Sequence, residues 1–190
     1  MQTDPKNIGF MQDPRLLKSE KIFDGAILEL FVNELKLEDG GIVERELLHH
    51  LPASCILATT DNDEVLLVKQ YRPAIVQDVL EIPAGIRDMV DGVVEDPLVA
   101  AKRELEEETG YQALKWTDLG SFYSSPGFLN EKVTLYHAQK LKKVENPLPQ
   151  DDHENIEMFK VDKDEVKRMI KNHEIIDLKT LYALQYWLGQ

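Results

Sequence analysis

The sequence has little of several things, and each shortage excludes a class of protein. Cys55 is the single cysteine among 190 residues, which excludes an internal disulfide and a cysteine-rich zinc site. Basic residues are also scarce, because 22 lysines and arginines stand against 35 aspartates and glutamates and leave a formal net charge of -13. A surface of that sign repels nucleic acid and anionic membranes, so we expect neither as a partner.

Long hydrophobic runs are missing as well. Nothing approaches the run of about 18 apolar residues that a membrane span needs, and the start lacks a basic flank followed by an apolar segment. We therefore expect no membrane span, no secretory signal and a cytoplasmic protein. The chain is 43% hydrophobic and 30% charged, as in folded globular proteins, and Cys55 in its apolar setting is expected to be a buried core residue.

Hydrophobic patterning predicts a mixture of strands and helices. Alternation over residues 22–37 and 42–48, about the turn Asp39-Gly40-Gly41, predicts a hairpin-like pair of strands. Nearly continuous apolar runs at 55–59 and 65–68 predict a second hairpin whose strands are buried on both faces. The first dozen residues are expected to form a loosely held arm. Further strands are expected at 79–82, 114–123, 133–140 and 156–161, and helices at 164–172 and 178–188.

One more helix is indicated by residues that favour a helix start and a helix end. Asp96 suits the N-cap, Pro97 suits the first helical position, and Gly110 suits the C-terminal stop. The sequence therefore predicts a helix between residues 97 and 109.

Glutamates crowd the last turns of this helix. Offsets of three and four share a helix face, so Glu104, Glu107 and Glu108 can project their carboxylates into one small volume. Like charges that close raise each other's pKa or require a cation, and hard divalent ions such as Mg2+ take oxygen ligands. The alternative is a solvated acidic face, which is the role expected for Glu106. Because the helix dipole disfavours anions at this end, a functional reason for the cluster is favoured.

The run from Glu95 to Tyr111 resembles the signature of the Nudix hydrolases. In that family a glutamate and seven further residues precede Arg-Glu-apolar-x-Glu-Glu-x-Gly-apolar, and here the motif is Arg103-Glu104-Leu105-Glu106-Glu107-Glu108-Thr109-Gly110-Tyr111. The preceding loop departs from the family pattern. Nine residues separate Gly85 from Glu95 where the family has five, so we expect about four extra residues around positions 89–92.

The resemblance implies an architecture. The expected fold class is α/β, a Nudix-type α/β/α sandwich with a mixed sheet, preceded by a small N-terminal antiparallel sheet. Residues 1–50 would supply the arm and the antiparallel strands that join a homodimer, and residues 51–190 would form the Nudix hydrolase domain. Whether the N-terminal sheet is swapped between subunits stays open.

Other stretches resemble the ADP-ribose pyrophosphatase branch of the family. They are Gln70-Tyr71-Arg72-Pro73, Glu81-Ile82-Pro83-Ala84-Gly85, Ser125-Pro126-Gly127-Phe128 with Glu131 behind, and the closing Ile176-Asp177-Leu178-Lys179-Thr180-Leu181. Pro126 stands 16 residues after Gly110. The resemblance implies Mg2+-dependent hydrolysis of a nucleoside diphosphate sugar, first of all ADP-ribose to AMP and ribose 5-phosphate. It assigns Arg72, Glu81, Pro126 and Glu131 to substrate binding. Outside the family context these prolines would be turn residues and Arg72 a solvated side chain.

The resemblance also implies the metal ligands and the chemistry. Mg2+, or Mn2+, would be bound by Glu104, Glu107, Glu108 and the backbone carbonyl of Ala84, and would activate water against phosphorus.

Glu154, in a loop after the signature, is the candidate general base, and a glutamate of the signature helix such as Glu107 is its rival. Glu95 and Arg103 are expected to form a structural ion pair. Three alternatives remain open: hydrolysis of another nucleoside diphosphate sugar such as GDP-mannose, a non-catalytic nucleotide-sensing module, and a purely structural acidic helix.

Overall fold

The structure, a computed structural model, describes residues 8–150 and 156–190 and divides into two compact units. The first unit contains the described part of Met1–Ala53 together with Arg87–Glu95 and Ser121–Val133, and the second contains Ser54–Ile86, Asp96–Gly120 and Thr134–Gln190. The assignment of residues 1–50 and 51–190 to separate roles stays a prediction. None of the helices in the described ranges has the length and apolar character that crossing a membrane requires.

Twelve strands and three α-helices make up the described parts of the chain. In order they are β1 Leu16–Asp24, β2 Leu28–Lys36, β3 Ile42–His50, β4 Ala53–Ala58, β5 Glu64–Arg72, β6 Gln77–Glu81, β7 Ala84–Ile86, β8 Met89–Val90, β9 Val93–Val94, α1 Pro97–Thr109, β10 Tyr111–Tyr123, β11 Lys132–Lys143, β12 Glu157–Asp162, α2 Lys163–Lys171 and α3 Leu178–Leu188.

The first unit contains the expected N-terminal antiparallel sheet, with strand order β1-β2-β3. The predicted single strand over residues 22–37 is wrong, because the chain turns back between β1 and β2. At this turn the Gly25 N–H donates to the Leu28 carbonyl at 3.0 Å, and a Cβ on Gly25 would lie 2.4 Å from the Phe23 ring. The local signal of this turn is the pair Asp24-Gly25, one of the dipeptides that mark turns.

The start of the chain is better anchored than the sequence suggested. Gly9–Gln12 forms a short 3-10 helix, Ile8 is fully buried, and the Phe10 ring packs edge-on against Phe31 with centroids 5.4 Å apart. The expectation of a loosely held arm is therefore wrong for residues 8–12, since Ile8 is buried and Phe10 packs against Phe31 of the sheet. The rest of that arm lies outside the described residues.

The extra residues before the signature helix form a hairpin of their own. β8 and β9 pair antiparallel around Asp91 and Gly92, whose φ angles are 52° and 77°. Two consecutive positive φ angles define a type I′ turn, and Asp-Gly is one of its preferred sequences. The pair Asp91-Gly92 is thus the local sequence signal of this hairpin.

Two further sheets, with strand orders β10-β11-β4-β7 and β12-β5-β6, lie for the most part in the second unit. The predicted hairpin of β4 with β5 is wrong. The turn between them exists, since the Thr60 N–H donates to the Glu64 carbonyl at 2.8 Å, but only the single bridge between Thr59 and Val65 links the two strands. Each strand already uses both edges in its own sheet, so neither has an edge left for the other.

Helix α1 begins and ends where its caps predict. The Asp96 carboxylate accepts the N–H groups of Leu98 and Val99 at 2.9 and 3.2 Å. Gly110 is left-handed, with φ 71°, and its N–H donates to the Glu106 carbonyl at 2.8 Å. The helix packs against β5, β7 and β12. Its inner face joins a core cluster of Ile56, Ala58, Leu66, Ala101, Leu105, Tyr136 and Ala138.

Two further sequence expectations are confirmed. Cys55 is buried, with 1% of its surface exposed. The two C-terminal helices are present and capped by aspartates: Asp162 accepts two backbone N–H groups of the first turn of α2, and Asp177 accepts one of α3.

The left-handed end of α1 gives a stability prediction. A Cβ on Gly110 would meet nothing closer than Pro147 at 3.9 Å, so Gly110→Ala tests backbone conformation rather than crowding. We expect it to lower the free energy of unfolding by about 1 kcal/mol in urea titrations. Gly9→Ala is the control, because its φ is not positive and a Cβ there meets nothing within 4 Å. Equal stability of the two variants would contradict the prediction.

Candidate functional site

The acidic face of α1 is organised around one arginine. Arg103 Nη1 lies 2.7 Å from Glu104 Oε1 and 2.8 Å from Glu107 Oε2, and Nη2 donates to the Ile86 carbonyl at 3.3 Å. Both glutamate side chains are mostly buried, with 12% and 15% of their surface exposed. The structure thus brings two of the predicted metal ligands to a single cationic group. The predicted ion pair of Glu95 with Arg103 stays a prediction.

Glu104 approaches the backbone of Gly85 closely. A Cβ built on Gly85 would stand 2.0 Å from the Glu104 carboxyl group, far inside contact distance. Only a glycine therefore lets this carboxylate lie against the end of β7. Gly85, noted in the sequence for its spacing, has a steric role in the site.

Glu108 is the most buried of the three carboxylates, with 4% of the residue exposed. Its Oε1 accepts from Gln70 Nε2 at 2.8 Å, and its Oε2 accepts from the Ala84 N–H at 3.0 Å. The contact with Ala84 is thus made by the amide, whereas the carbonyl is the atom predicted to bind metal. Gln70 was quoted in the sequence only as part of a family stretch, and its role in fixing Glu108 was missed.

The residues fit a hard divalent cation by their chemistry. In residues 8–150 and 156–190, no three His, Cys, Asp or Glu side chains are gathered closely enough to hold a metal ion as they stand. The available donors are nevertheless oxygens only, and Glu104 and Glu107 already converge on one positive charge. Because residue 85 is a glycine, no side chain from that position crowds the Glu104 carboxylate.

A second charged cluster contains the predicted substrate residues Arg72 and Glu81 together with Lys179, which was not predicted. Arg72 Nε and Nη2 donate to Glu81 Oε1 and Oε2 at 2.5 and 2.8 Å, and Lys179 Nζ donates to Glu81 Oε2. The Glu81 side chain is 4% exposed and that of Arg72 is 42% exposed. Burial raises the pKa of Glu81, but the hydrogen bonds from Arg72 and the charge of Lys179 outweigh it and lower the pKa.

The first turn of α3 holds Lys179 in this cluster. Asp177 Oδ2 lies 3.0 Å from Lys179 Nζ and accepts the N–H and the hydroxyl of Thr180 at 2.9 and 2.6 Å. The Thr180 hydroxyl in turn accepts the Ile82 N–H at 2.9 Å, next to Glu81. The family stretch at residues 176–181 was the available signal for Lys179.

Two predicted substrate residues lie in the first unit. Pro126 stands in a turn where the N–H groups of Phe128 and Leu129 donate to the Ser125 carbonyl at 3.2 and 2.9 Å. Glu131 follows, and its Oε2 accepts from the Ser124 hydroxyl at 2.6 Å.

The candidate base Glu154 lies outside the described residues. The flanking residues are described, and the Gln150 side chain bonds both the N–H and the carbonyl of Ile156, at 3.3 and 3.2 Å. On α1, the fourth glutamate, Glu106, accepts from Gln112 Nε2 at 2.7 Å and from the Leu148 N–H at 3.2 Å. Glu106 therefore ties the helix to the chain before residue 150.

The Glu81 cluster predicts a pH-dependent stability. A carboxyl whose pKa is lowered by folding stabilises the fold above its unfolded pKa, and the contribution is lost as the pH falls through the folded value. Because Glu81→Gln leaves Lys179 and the half-exposed Arg72 short of a charged partner, we expect it to lower the free energy of unfolding at pH 7 by about 2 kcal/mol.

The difference between wild type and Glu81→Gln should shrink as the pH falls below 4.5, the ordinary value for glutamate. Urea titrations over that range measure it. Glu157→Gln is the control, because that side chain is 62% exposed and its ion pair with Lys69 is a surface contact. Its effect should stay below about 0.5 kcal/mol at every pH. A constant gap for Glu81→Gln would contradict the prediction.

Comparison with known proteins gives a consistent family. The model of the NUDIX domain matches residues 48–183. The ADP-ribose pyrophosphatase of Bacillus subtilis (strain 168) is 37% identical over 174 residues, which cover 92% of each chain. The methanol dehydrogenase activator of Bacillus methanolicus is 38% identical over 179 residues, 94% of this chain and 95% of the relative.

A solved structure supports the fold. The crystal structure of an ADP compounds hydrolase superposes with a TM-score of 0.77, covers 92% of this chain and 93% of that one, and is 20% identical in sequence. At this identity the likeness shows the fold alone, and it confirms the predicted class of strands and helices with a mixed sheet and a small N-terminal antiparallel sheet. By its domain match and by its relatives, the chain belongs to the Nudix family.

Proposed function

We propose that this protein hydrolyses the pyrophosphate bond of ADP-ribose to give AMP and ribose 5-phosphate. The observation that carries the proposal is the convergence of Glu104 and Glu107 on one cation beside Gly85, within a Nudix chain. The ADP-ribose pyrophosphatase relative, which aligns over 92% of both chains, supports this choice of substrate.

The signature carboxylates are the proposed metal site. Glu104, Glu107 and Glu108, with the carbonyl oxygen of Ala84, would hold Mg2+ or Mn2+. Such ions, when bound, neutralise the charge of a pyrophosphate and make a water molecule more acidic. Arg103 keeps Glu104 and Glu107 turned towards the same side of α1, so their oxygens are in place before a ligand arrives.

Glu108 is oriented by two hydrogen-bond donors, neither of which carries a charge. Gln70 and the Ala84 N–H each take one lone pair, one on either carboxylate oxygen. Gln70 is therefore a residue that aims Glu108.

Arg72 is the proposed contact for a substrate phosphate. Glu81 holds its Nε and Nη2, while Nη1 makes no hydrogen bond within residues 8–150 and 156–190. A planar guanidinium fixed on one edge presents the other edge in a set direction, which suits a phosphate oxygen. Glu81 stays the proposed nucleoside contact, and holding Arg72 is a second role for it. Pro126 and Glu131 complete the proposed substrate residues.

Glu154 is the proposed general base, and Glu107 is the alternative. A base must accept a proton from the attacking water. The Oε2 atom of Glu107 is already ion-paired with Arg103, which leaves it less available to accept that proton. We also propose, from the sequence alone, that the protein acts in the cytoplasm as a homodimer joined through residues 1–50, with residues 51–190 as the hydrolase domain.

Identification of the reaction products tests the proposed substrate. Purified protein is incubated with ADP-ribose, GDP-mannose and other nucleoside diphosphate sugars, with Mg2+ and with Mn2+, and products are identified by mass. We expect ADP-ribose to be cleaved fastest, giving AMP and ribose 5-phosphate. Faster cleavage of GDP-mannose would replace the proposed substrate, and binding of ADP-ribose without cleavage would indicate a nucleotide-sensing module.

A charge-removing variant tests the metal assignment. Glu104→Gln should lower turnover by about two to three orders of magnitude while leaving the unfolding temperature nearly unchanged. Glu106→Gln on the same helix is the matched control and should keep turnover, because Glu106 bonds Gln112 and the Leu148 N–H. A stable Glu104→Gln protein with wild-type turnover would refute the assignment.

The pH dependence of kcat/KM separates the two candidate bases. If Glu154 is the base, its pKa sets the acidic limb of the profile, since the protonated form cannot accept a proton. Glu154→Gln should then remove that limb, and Glu107→Gln should keep it while lowering the rate. The opposite result would assign the role to Glu107.

A further inference from the structure

The segment 81–85, where β6 ends and β7 begins, is bonded to both charged clusters of the second unit. At its start, the Glu81 carboxylate accepts from Arg72 Nε and Nη2 at 2.5 and 2.8 Å. Further along, the Ala84 N–H donates to Glu108 Oε2 at 3.0 Å. The conformation of this short segment therefore sets the position of Arg72 relative to a signature glutamate.

Two hydrogen bonds hold the backbone in the middle of the segment. The Pro83 carbonyl accepts the Ile56 N–H of β4 at 2.8 Å, and the Ile82 N–H donates to the Thr180 hydroxyl of α3 at 2.9 Å. Ile82 and Thr180 are both fully buried. A buried N–H that loses its acceptor must find another one or reach water, and either change requires the backbone to move. The bond to Thr180 therefore fixes the centre of the segment.

The orientation of the Thr180 hydroxyl is set by its two partners. It carries one proton, and Asp177 Oδ2, a carboxylate oxygen that accepts, lies 2.6 Å away. The proton is therefore directed at Asp177, and an oxygen lone pair faces the Ile82 N–H. Asp177 Oδ2 also accepts the Thr180 N–H at 2.9 Å, so one carboxylate holds both the backbone and the side chain of this residue. Thr180 thus presents an acceptor in a fixed direction.

We propose that Thr180 is a positioning residue, which keeps Arg72 and the signature glutamates at the separation that one diphosphate requires. The inference rests on the proposed function, in which Arg72 contacts a phosphate and those glutamates bind the metal. A displacement of about 1 Å at such a site can lower the rate about a hundredfold. Lys179 of the same helix turn bonds the Glu81 side chain, whereas Thr180 bonds the backbone between Glu81 and Ala84.

Two variants separate the hydroxyl from the rest of the Thr180 side chain. Thr180→Val keeps the shape but removes the acceptor, and it should lower kcat/KM for ADP-ribose about ten- to a hundredfold. Thr180→Ser keeps the hydroxyl but loses a buried methyl group, so it should be less stable than the wild type while its kcat/KM stays within about threefold. Wild-type kcat/KM in a folded Thr180→Val protein would overturn the inference.

Thr59→Val is the matched control. Thr59 is another buried threonine of the second unit, 6% exposed, and its hydroxyl lies 2.8 Å from Nε2 of His137, a residue outside the proposed site. Its replacement removes a buried hydrogen bond of the same kind, so stability should fall while kcat/KM stays within about twofold. A loss of kcat/KM in Thr59→Val as large as that in Thr180→Val would overturn the inference.

Thr180→Cys replaces Thr180→Val if the valine variant does not fold, because a thiol is only a weak acceptor. Its kcat/KM should then lie at least about fivefold below that of Thr180→Ser. Equal values for the cysteine and serine variants would overturn the inference.

A double-mutant cycle with Arg72 gives a readout that a merely structural residue would not change. In an Arg72→Ala background the arginine can no longer be misplaced, so the loss of kcat/KM caused by Thr180→Val should be at least about threefold smaller than in the wild type. Losses that simply multiply would overturn the inference.

Binding without turnover completes the test. Calorimetry with ADP-ribose in the presence of a chelator should show about tenfold weaker binding for Thr180→Val and wild-type binding for Thr180→Ser. Equal binding by all three proteins would overturn the inference. Failure of the wild type to cleave ADP-ribose that it binds would overturn only the proposed activity, because the binding of the variants is still compared. Absence of binding by the wild type would overturn both.

Discussion

The constraint on which this structure depends is the need to keep carboxylates charged while they are packed against protein. Each mostly buried glutamate described above has an oxygen held by a cation or an N–H donor. Arg103 serves Glu104 and Glu107, Gln70 and the Ala84 N–H serve Glu108, and Arg72 with Lys179 serves Glu81. In a chain with net charge -13, removing one such partner would leave a buried anion uncompensated, which is far costlier than losing an exposed ion pair.

The same pairing explains how a helix end can carry anions against its own dipole. The last turns of α1 place a negative backbone potential beside Glu104, Glu107 and Glu108. Arg103 lies on the same helix, and its i,i+4 spacing to Glu107 places a positive charge at the end of the helix where the backbone potential is most negative. The steric gap at Gly85 then lets Glu104 lie close to β7 without a side chain in the way. Local charge and local sterics together make the face stable before any ligand binds.

The sequence predicted what depends on neighbouring residues and missed what depends on distant ones. The ends of α1 follow from Asp96, Pro97 and Gly110, and the bounds of α3 follow from helical periodicity, because caps and periods are local. The sheet membership of β4 and β5 does not follow, since it depends on which strands take their edges.

The candidate site shows the same division. The spacing of Glu104, Glu107 and Glu108 put them on one face, and the structure brings Glu104 and Glu107 to one arginine. The bonds from Gln70 to Glu108 and from Lys179 to Glu81 span 38 and 98 residues, beyond the reach of any local pattern. Only the family stretches around those residues marked them, without saying what each would touch.

The hairpin of β8 and β9 has a consequence for how this loop can change in evolution. The Glu95 N–H donates to the Asp88 carbonyl at 2.7 Å, so the two ends of the insertion lie side by side. Residue pairs added or removed between the tip of the hairpin and that closing hydrogen bond would lengthen or shorten the hairpin, while the distance between its two ends stays the same. The length of this hairpin can therefore change without changing the register of the motif that follows it.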